Sequence, residues 1–302
     1  MIGAAEFEGL AAGSRHVADA LARQQQRLAG IIPRLAEARP EDIHDGRVAA
    51  RRLRSLLKTY RPMLEQRRAR LYRLDLRSFA RALGAVREAD VLAALVDGLL
   101  AGDAAISPTT RERAVRLTER ERSAARAALT ERLAGPEWRA LCRALLRHGD
   151  DQRLLAEKGA ALEQALDRVD RPFRKAMRLL ENTPSDADAL HRLRLAFKHC
   201  RYALESVADV APVEASSLLR SLRRVQDSIG SHRDVVLARR WVESNRIQLG
   251  ARLAGRLDQL LVERDADLLV EAVKRSRKVR STHRRWRSAC RRAIRATSPA
   301  RA

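Results

Sequence analysis

Aromatic side chains are scarce: phenylalanine, tryptophan and tyrosine make up 3% of the 302 residues. Proteins that grip single-stranded nucleic acid stack its bases on such rings, so this shortage weighs against that class. Cysteine is also rare, and Cys142, Cys200 and Cys290 are odd in number and far apart. They form neither a disulfide framework nor a CxxC metal knuckle, which points to a reducing, cytoplasmic setting. No apolar run is long enough to span a bilayer. The opening "MIGAAEFEGLAAGSRHVADAL" lacks the basic start and sustained apolar stretch of a secretory signal. Helix-turn-helix and zinc-finger patterns are missing, which disfavours groove reading of duplex DNA. No phosphate-cradling glycine loop, nucleophile with its base, or carboxylate pair stands out, so no enzyme and no cofactor are expected.

Acidic residues are the most telling shortage. Lysine and arginine number 61 against 38 aspartates and glutamates, a net charge of +23. That balance predicts attraction to a polyanion and says nothing about fold. The fold signal lies in the pattern instead. Alanine, leucine and arginine dominate, and apolar residues recur every three or four positions, helix after helix, with no alternating strand run. Helices are expected over about 14–37, 41–60, 62–83, 87–100, 108–133, 136–146, 152–180, 185–207, 212–229, 233–248 and 251–275. A basic terminal piece to about 296 follows, either a tail or a wall. Residues 1–13 read as an N-terminal extension.

The chain also reads as a tandem internal repeat, about 14–148 and 152–297, with its seam near Arg147–Asp151. Placing His44 on His191 superimposes Arg47 on Arg194, Arg51 on Lys198, Arg52 on His199 and Arg54 on Arg201. One residue of slip then brings Arg77 onto Arg223 and "LGAVRE" (Leu83–Glu88) onto "IGSHRD" (Ile229–Asp234). The expected architecture is all-α: two related antiparallel bundles about a pseudo-twofold axis with a basic groove between them.

The stretch "HDGRVAARRLRSLLKTYRP" (His44–Pro62) carries six cations and no acid after Asp45. On a helix, His44, Arg47, Arg51, Arg54 and Lys58 share an arc of roughly 80°. Ala49, Leu53, Leu56, Leu57 and Tyr60 take the opposite side. The second copy repeats this, with His191, Arg194, Lys198 and Arg201 opposite Leu193, Ala196, Cys200, Leu204 and Val207. Arg70, Arg73, Arg77 and Arg81 form a third basic row. A single basic helix is usually a solvated face. Like charges one turn apart cost roughly 0.2–0.5 kcal/mol per pair, and elsewhere, as in "RERAVRLTERERSAARAALTERL", acids relieve that cost freely. Acid-poor rails in both copies imply counter-charge from outside. One cation per turn, about 5 Å of rise, is too sparse for closely linked phosphates, so two rails would have to line one groove.

His44 and His191 are expected to be neutral when the site is empty, because cations and the helix dipole disfavour imidazolium. Each could donate one hydrogen bond to a phosphate oxygen. A metal site at His44 with Asp45, or at His191 with His199 and Cys200, is disfavoured by the surrounding cations and the helical spacing. Glu88 and Asp234, beside Arg87 and Arg233, read as partners that orient arginines between the bundles.

These residues resemble the CHAD family of histidine-bearing α-helical domains. Its pattern, His-x-x-Arg-Val-x-x-Arg-Arg-x-Arg, is matched by His44, Arg47, Val48, Arg51, Arg52 and Arg54. A second copy has His191, Arg194, Lys198 and Arg201 leading into Tyr202. "LGAVREADV", "VQDSIGSHRDVVLA" and "GPEWRALCRALL" are similar to segments that follow in the family, so the domain is expected over 14–297. The resemblance implies a groove that binds inorganic polyphosphate, without catalysis, in a granule-associated or targeting module. Nucleic acid is the secondary partner to consider, and a polyphosphate-processing enzyme the remoter alternative. Glu205 replaces the counterpart of Lys58, which shortens the second rail. "EFEGL" imitates the opening of the tunnel enzymes often fused to this family, without the residues that should follow, so a stand-alone type is expected. The expected polyphosphate-binding set is His44, Arg47, Arg51, Arg52, Arg54, Lys58, Arg77, His191, Arg194, Lys198, His199, Arg201 and Arg223, with no metal.

Overall fold

Proline sets three of the helix starts. Pro40, Pro108 and Pro136 each occupy the first turn of a helix, where a missing N–H costs nothing. The computed structural model describes residues 4–150, 154, 162–181, 187–207 and 213–297. Among them are α-helices and short 3-10 turns, with no strand. The helices are α1 (Ala4–Ile31), α2 (Pro40–Thr59), α3 (Gln66–Ala82), α4 (Gly84–Ala101), α5 (Pro108–Ala134), α6 (Pro136–Asp150), α7 (Leu162–Glu181), α8 (Ala187–Glu205), α9 (Glu214–Ser244), α10 (Arg246–Leu249) and α11 (Ala251–Thr297). The Ser107 hydroxyl caps α5 by accepting from the Thr110 amide at 3.3 Å. Glu65 caps α3 by accepting from the Arg67 and Arg68 amides at 3.0 and 2.7 Å.

The all-helical expectation holds, and several boundaries differ from it. α1 starts at Ala4, ten residues early, because "AAEFEGLAAG" is rich in helix formers. It ends at Ile31, just ahead of Pro33, where the chain tightens into a 3-10 turn over Ile32–Glu37. Ala38 closes that turn in the left-handed conformation, φ 49°. α9 is one helix where two were expected, since Gly230 is the sole weak former there and costs only about 1 kcal/mol relative to alanine. α11 is likewise a single helix of 47 residues rather than a helix plus a separate basic end, with no glycine or proline between Gly255 and Thr297 to stop it. The expected seam falls at the end of α6 and on residues beyond 150 that, Leu154 apart, lie outside the described set up to 161.

Two apolar cores form, and neither belongs to one half of the chain. The larger joins Leu53, Leu57, Tyr60 and Phe79 to Phe173, Phe197, Leu204 and Trp286. The smaller joins Val96, Leu100 and Ala114 to Val235, Trp241 and Leu257. α9 and α11 contribute to both. The apolar sides expected for α2 and α8 are buried throughout: Ala49, Leu53, Leu57, Cys200 and Leu204 are all 0% exposed. Each such leucine contributes about 1.5–3 kcal/mol, against a few tenths for each like-charged pair on the rail. Apolar packing therefore wins, and it holds the cations together.

Polar ties fix α2 and α8 side by side. The Tyr60 and Ser206 hydroxyls lie 2.9 Å apart in the interior. The Gln226 side-chain amide donates to the Phe197 carbonyl at 2.8 Å and seats α9 on α8.

Candidate anion-binding site

Helices α2, α4, α8 and α9 pack against one another in pairs, and a cavity of about 390 Å³ opens between them. α2 supplies His44, Arg47 and Arg51, α4 supplies Arg87 and Glu88, and α8 supplies Arg194, Lys198 and Arg201. α9 adds Asp227, Gly230, Arg233 and Asp234. Seven lysines and arginines thus face three carboxylates around one space. The two rails do converge.

Fixed contacts hold several of these cations in place. Arg47 Nη1 donates to the Ala80 carbonyl at 2.9 Å. Gly84 makes room for that guanidinium, since a Cβ there would come within 3.1 Å of Arg47 Nη1. The Tyr202 hydroxyl accepts from Arg51 at 3.1 Å and from Arg201 at 3.2 Å, one arginine from each rail. The Arg201 guanidinium also lies 4.8 Å from the Tyr202 ring centre, a cation–π contact. Arg233 pairs with Glu88 at 3.3 Å, joining α9 to α4.

Proton affinities in the cavity record the strain of crowding like charges away from water. Burial, then Arg51, Arg194, Arg233 and Arg201, push the Lys198 ammonium down to about 6. Arg47 and Arg194 are lowered by burial first and by neighbouring cations next, though a guanidinium stays protonated. His44 titrates below an ordinary imidazole through burial and then Arg87, with Asp45 opposing only in part. It stands neutral near pH 7, as its position on the rail implied. Burial raises the Asp234 carboxyl in spite of Arg194, Arg233, Arg87 and Lys198 around it. An anion in this space would recharge Lys198, accept a hydrogen bond from neutral His44 and satisfy guanidinium N–H groups by forked contacts.

The other expected residues are distributed around this cavity. Arg54 and Arg77 line a neighbouring hollow between α2 and α3. Lys58 Nζ sits 3.3 Å from His199 Nδ1 at the exposed end of the rails. Partial desolvation, then Lys58, Lys175 and Arg54, keep the His199 imidazole neutral. Arg52 and Arg223 are not brought into the cavity: they meet Glu205 at 3.2 and 3.8 Å, and Arg201 reaches the same carboxylate at 3.5 Å. Glu205 therefore ends the second rail, as its place in the sequence suggested. The side chain of His191 lies outside the described residues.

The basic end of α11 proves to be a packed wall of the core rather than of the cavity. His283 Nε2 lies 2.8 Å from Asp170 Oδ1, both buried, and His283 stacks on Phe173 with ring centres 4.4 Å apart. No α11 residue lines the cavity.

The expected set leaves out Arg87 and Arg233, which the sequence presents as arginines oriented by Glu88 and Asp234, and it gives no lining role to Gln226 or Gly230. Gln226, Gly230, Arg233 and Leu237 all line the cavity. Their spacing of four, three and four was the available signal for a shared face of α9.

A family model described as "CHAD domain" matches residues 15–243. Two solved structures share the fold. One is the "Crystal structure of the CHAD domain from the plant Ricinus communis", with TM-score 0.67 and 23% identity, covering 84% of this chain and 86% of that one. The other is "PptA from Streptomyces chartreusis", with TM-score 0.67 and 16% identity, covering 90% of this chain and 99% of that one. No curated protein matches the chain. Among the described residues, no helix is long and apolar enough to cross a membrane.

Proposed function

Because the chain belongs to the CHAD domain family, we propose that the cavity between α2, α4, α8 and α9 binds inorganic polyphosphate without turning it over. The observation that carries this reading is the gathering of seven lysine and arginine side chains from four helices around about 390 Å³ of open space. A structural role alone gives no reason to assemble them. Crowding like charges away from water costs stability, as the lowered proton affinities of Arg47, Arg194 and Lys198 record. A linear chain of phosphates satisfies the arrangement, because it brings dense negative charge on a flexible backbone with no aromatic bases to stack. Granule association of the protein would follow from such binding.

The test is polymer binding over a range of salt. With seven cations engaged, log affinity should fall against log salt with a slope near −5, by analogy with single strands. Arg51→Gln, Arg194→Gln and Lys198→Gln combined should keep helicity and cooperative melting while affinity drops at least tenfold. A flat salt response, or wild-type affinity in the folded triple variant, refutes the site. Nucleic acid is the competing ligand: polyphosphate should displace labelled DNA or RNA at matched phosphate concentration, and the reverse should fail. Released phosphate after incubation with polymer and Mg²⁺ would instead show an enzyme, and none is expected.

A further inference from the structure

The Arg-lined hollow between α2 and α3 has a volume of about 620 Å³. Arg54, Arg61, Arg67, Arg70, Arg73 and Arg77 surround it, and no carboxylate does. The nearby acid is otherwise engaged: Glu65 accepts from the first amides of α3 and lies 3.7 Å from Arg68. Arg61 is tethered, donating to the Gln66 side chain at 2.6 Å. Arg54, Arg70, Arg73 and Arg77 form no ion pair with a carboxylate among the described residues, and the Arg67 guanidinium feels Glu65 only at longer range. The hollow has an apolar floor, the fully buried Leu57 with Ala69. Arg67, Arg70, Arg73 and Arg77, at spacings of three, three and four, all face it.

Its position relative to the central cavity decides its meaning. Arg51 lines the central cavity and Arg54 lines the hollow. They share one face of α2 and are separated by about 4.5 Å of helix rise. The two spaces therefore succeed one another along a single rail. Arg54 feels both sides: burial first, then Arg77, Arg73, Arg51 and Arg81, lower its proton affinity.

We propose that this hollow is a second anion-binding site, in which a long phosphate chain anchored in the central cavity continues along α2 and onto α3. The inference rests on the reading of the central cavity as a polyphosphate site. It assigns Arg67, Arg70 and Arg73 to polymer binding and makes affinity depend on chain length. A short chain fills the central cavity alone, while a long one gains the contacts of the α3 row.

The experiment compares tripolyphosphate with long-chain polyphosphate on the full chain. Arg67→Gln, Arg70→Gln and Arg73→Gln are combined, keeping good helix formers at exposed or half-buried positions. The triple variant should bind tripolyphosphate as the wild type does. Its salt slope for the long polymer should fall by about 2, three contacts at roughly 0.7 each, with affinity at least tenfold weaker. The matching Arg→Lys triple, which keeps the charge and the fold, should retain most of the slope. A glutamine triple that binds the long polymer with wild-type slope overturns the second site and leaves the central one standing. Loss of tripolyphosphate binding in that triple, with circular dichroism and melting unchanged, also overturns it, because the two sites would then not be separate. Failure of the wild type to bind either ligand removes the central reading and this one with it.

Discussion

Binding should draw a proton into the cavity, and Lys198 is the group that takes it. Burial and the four arginines around it hold its ammonium down to about 6, so at pH 7.5 most empty molecules lack that charge. A polyphosphate segment among Arg51, Arg194 and Arg233 reverses the field and restores a lysine to its ordinary range, about 10.4. The free state then holds fewer protons than the bound state across this whole window. Affinity therefore falls as pH rises, by up to about tenfold per unit and between one and two orders of magnitude from pH 6.5 to 8.5. The linkage has the opposite sense for folding. The unfolded chain protonates this lysine and the empty folded protein does not, so stability without ligand rises with pH between about 6 and 10, and bound polymer removes that trend. Calorimetric titration in two buffers of different ionisation enthalpy counts the protons directly and should give close to one at pH 7.5. Lys198→Arg keeps the charge at all pH values and should flatten the profile. Asp234→Asn is the necessary partner, since burial raises that carboxyl in the same cavity, and it should leave the uptake near pH 7.5 in place. No proton uptake by the wild type, or an unchanged pH slope in Lys198→Arg, refutes the argument.

Gly230 sits in the middle of α9, and a Cβ there would meet no protein atom within 4 Å. Gly230→Ala should therefore stabilise the fold by about 0.5–1 kcal/mol in thermal melting, while a bulkier Gly230→Leu should weaken polymer binding by filling the cavity. Glu205 holds Arg52, Arg201 and Arg223. Glu205→Gln should lower the melting temperature of the empty protein, and added polyphosphate should raise it by more than in the wild type. Asp170 ties α7 to α11 through His283 and Arg287, and pairs with Arg174 within α7. Burial raises its carboxyl, but the His283 hydrogen bond and the neighbouring Arg287 and Arg174 outweigh that and hold it below the usual range. Its contribution is present above pH 4 and lost as pH falls further. Asp170→Asn should cost about 3–5 kcal/mol in denaturant unfolding and leave polymer affinity per folded molecule unchanged.

The separation of rail from core explains what was legible in the letters. His44, Arg47 and Arg51 could be placed on one face of α2, and Arg194, Lys198 and Arg201 on one face of α8, because helical spacing fixes both the cation side and the apolar side at once. The acid-free run from Gly46 to Pro62 then marked those faces as unusual. What the spacing of one helix leaves open is its rotation against its neighbours. Arg51 and Arg52 are adjacent in sequence and look equivalent in the motif, yet Arg51 enters the cavity and Arg52 turns to Glu205. The difference lies in packing between α2 and α8, fixed by such contacts as Tyr60 with Ser206. Arg87 and Arg233 were discounted for a related reason. Each stands beside an acid that the sequence presents as its orienting partner, but Glu88 pairs with Arg233 of the other half and Asp234 sits among Arg194, Arg233, Arg87 and Lys198.

The same reasoning explains why the long helices were cut short. Gly84 and Gly230 align in the repeat, so a break after the first predicts a break after the second. In α3–α4 the chain does turn at Leu83–Gly84, where Gly84 gives way to the Arg47 guanidinium. In α9 no side chain approaches Gly230 and the helix runs through. One glycine yields space to a neighbouring cation, the other leaves space empty on the cavity wall. A helix that keeps a glycine mid-span gives up about 1 kcal/mol that alanine would recover. Under the proposed function, a phosphate chain in the cavity would need that volume, which supplies a reason to keep the glycine.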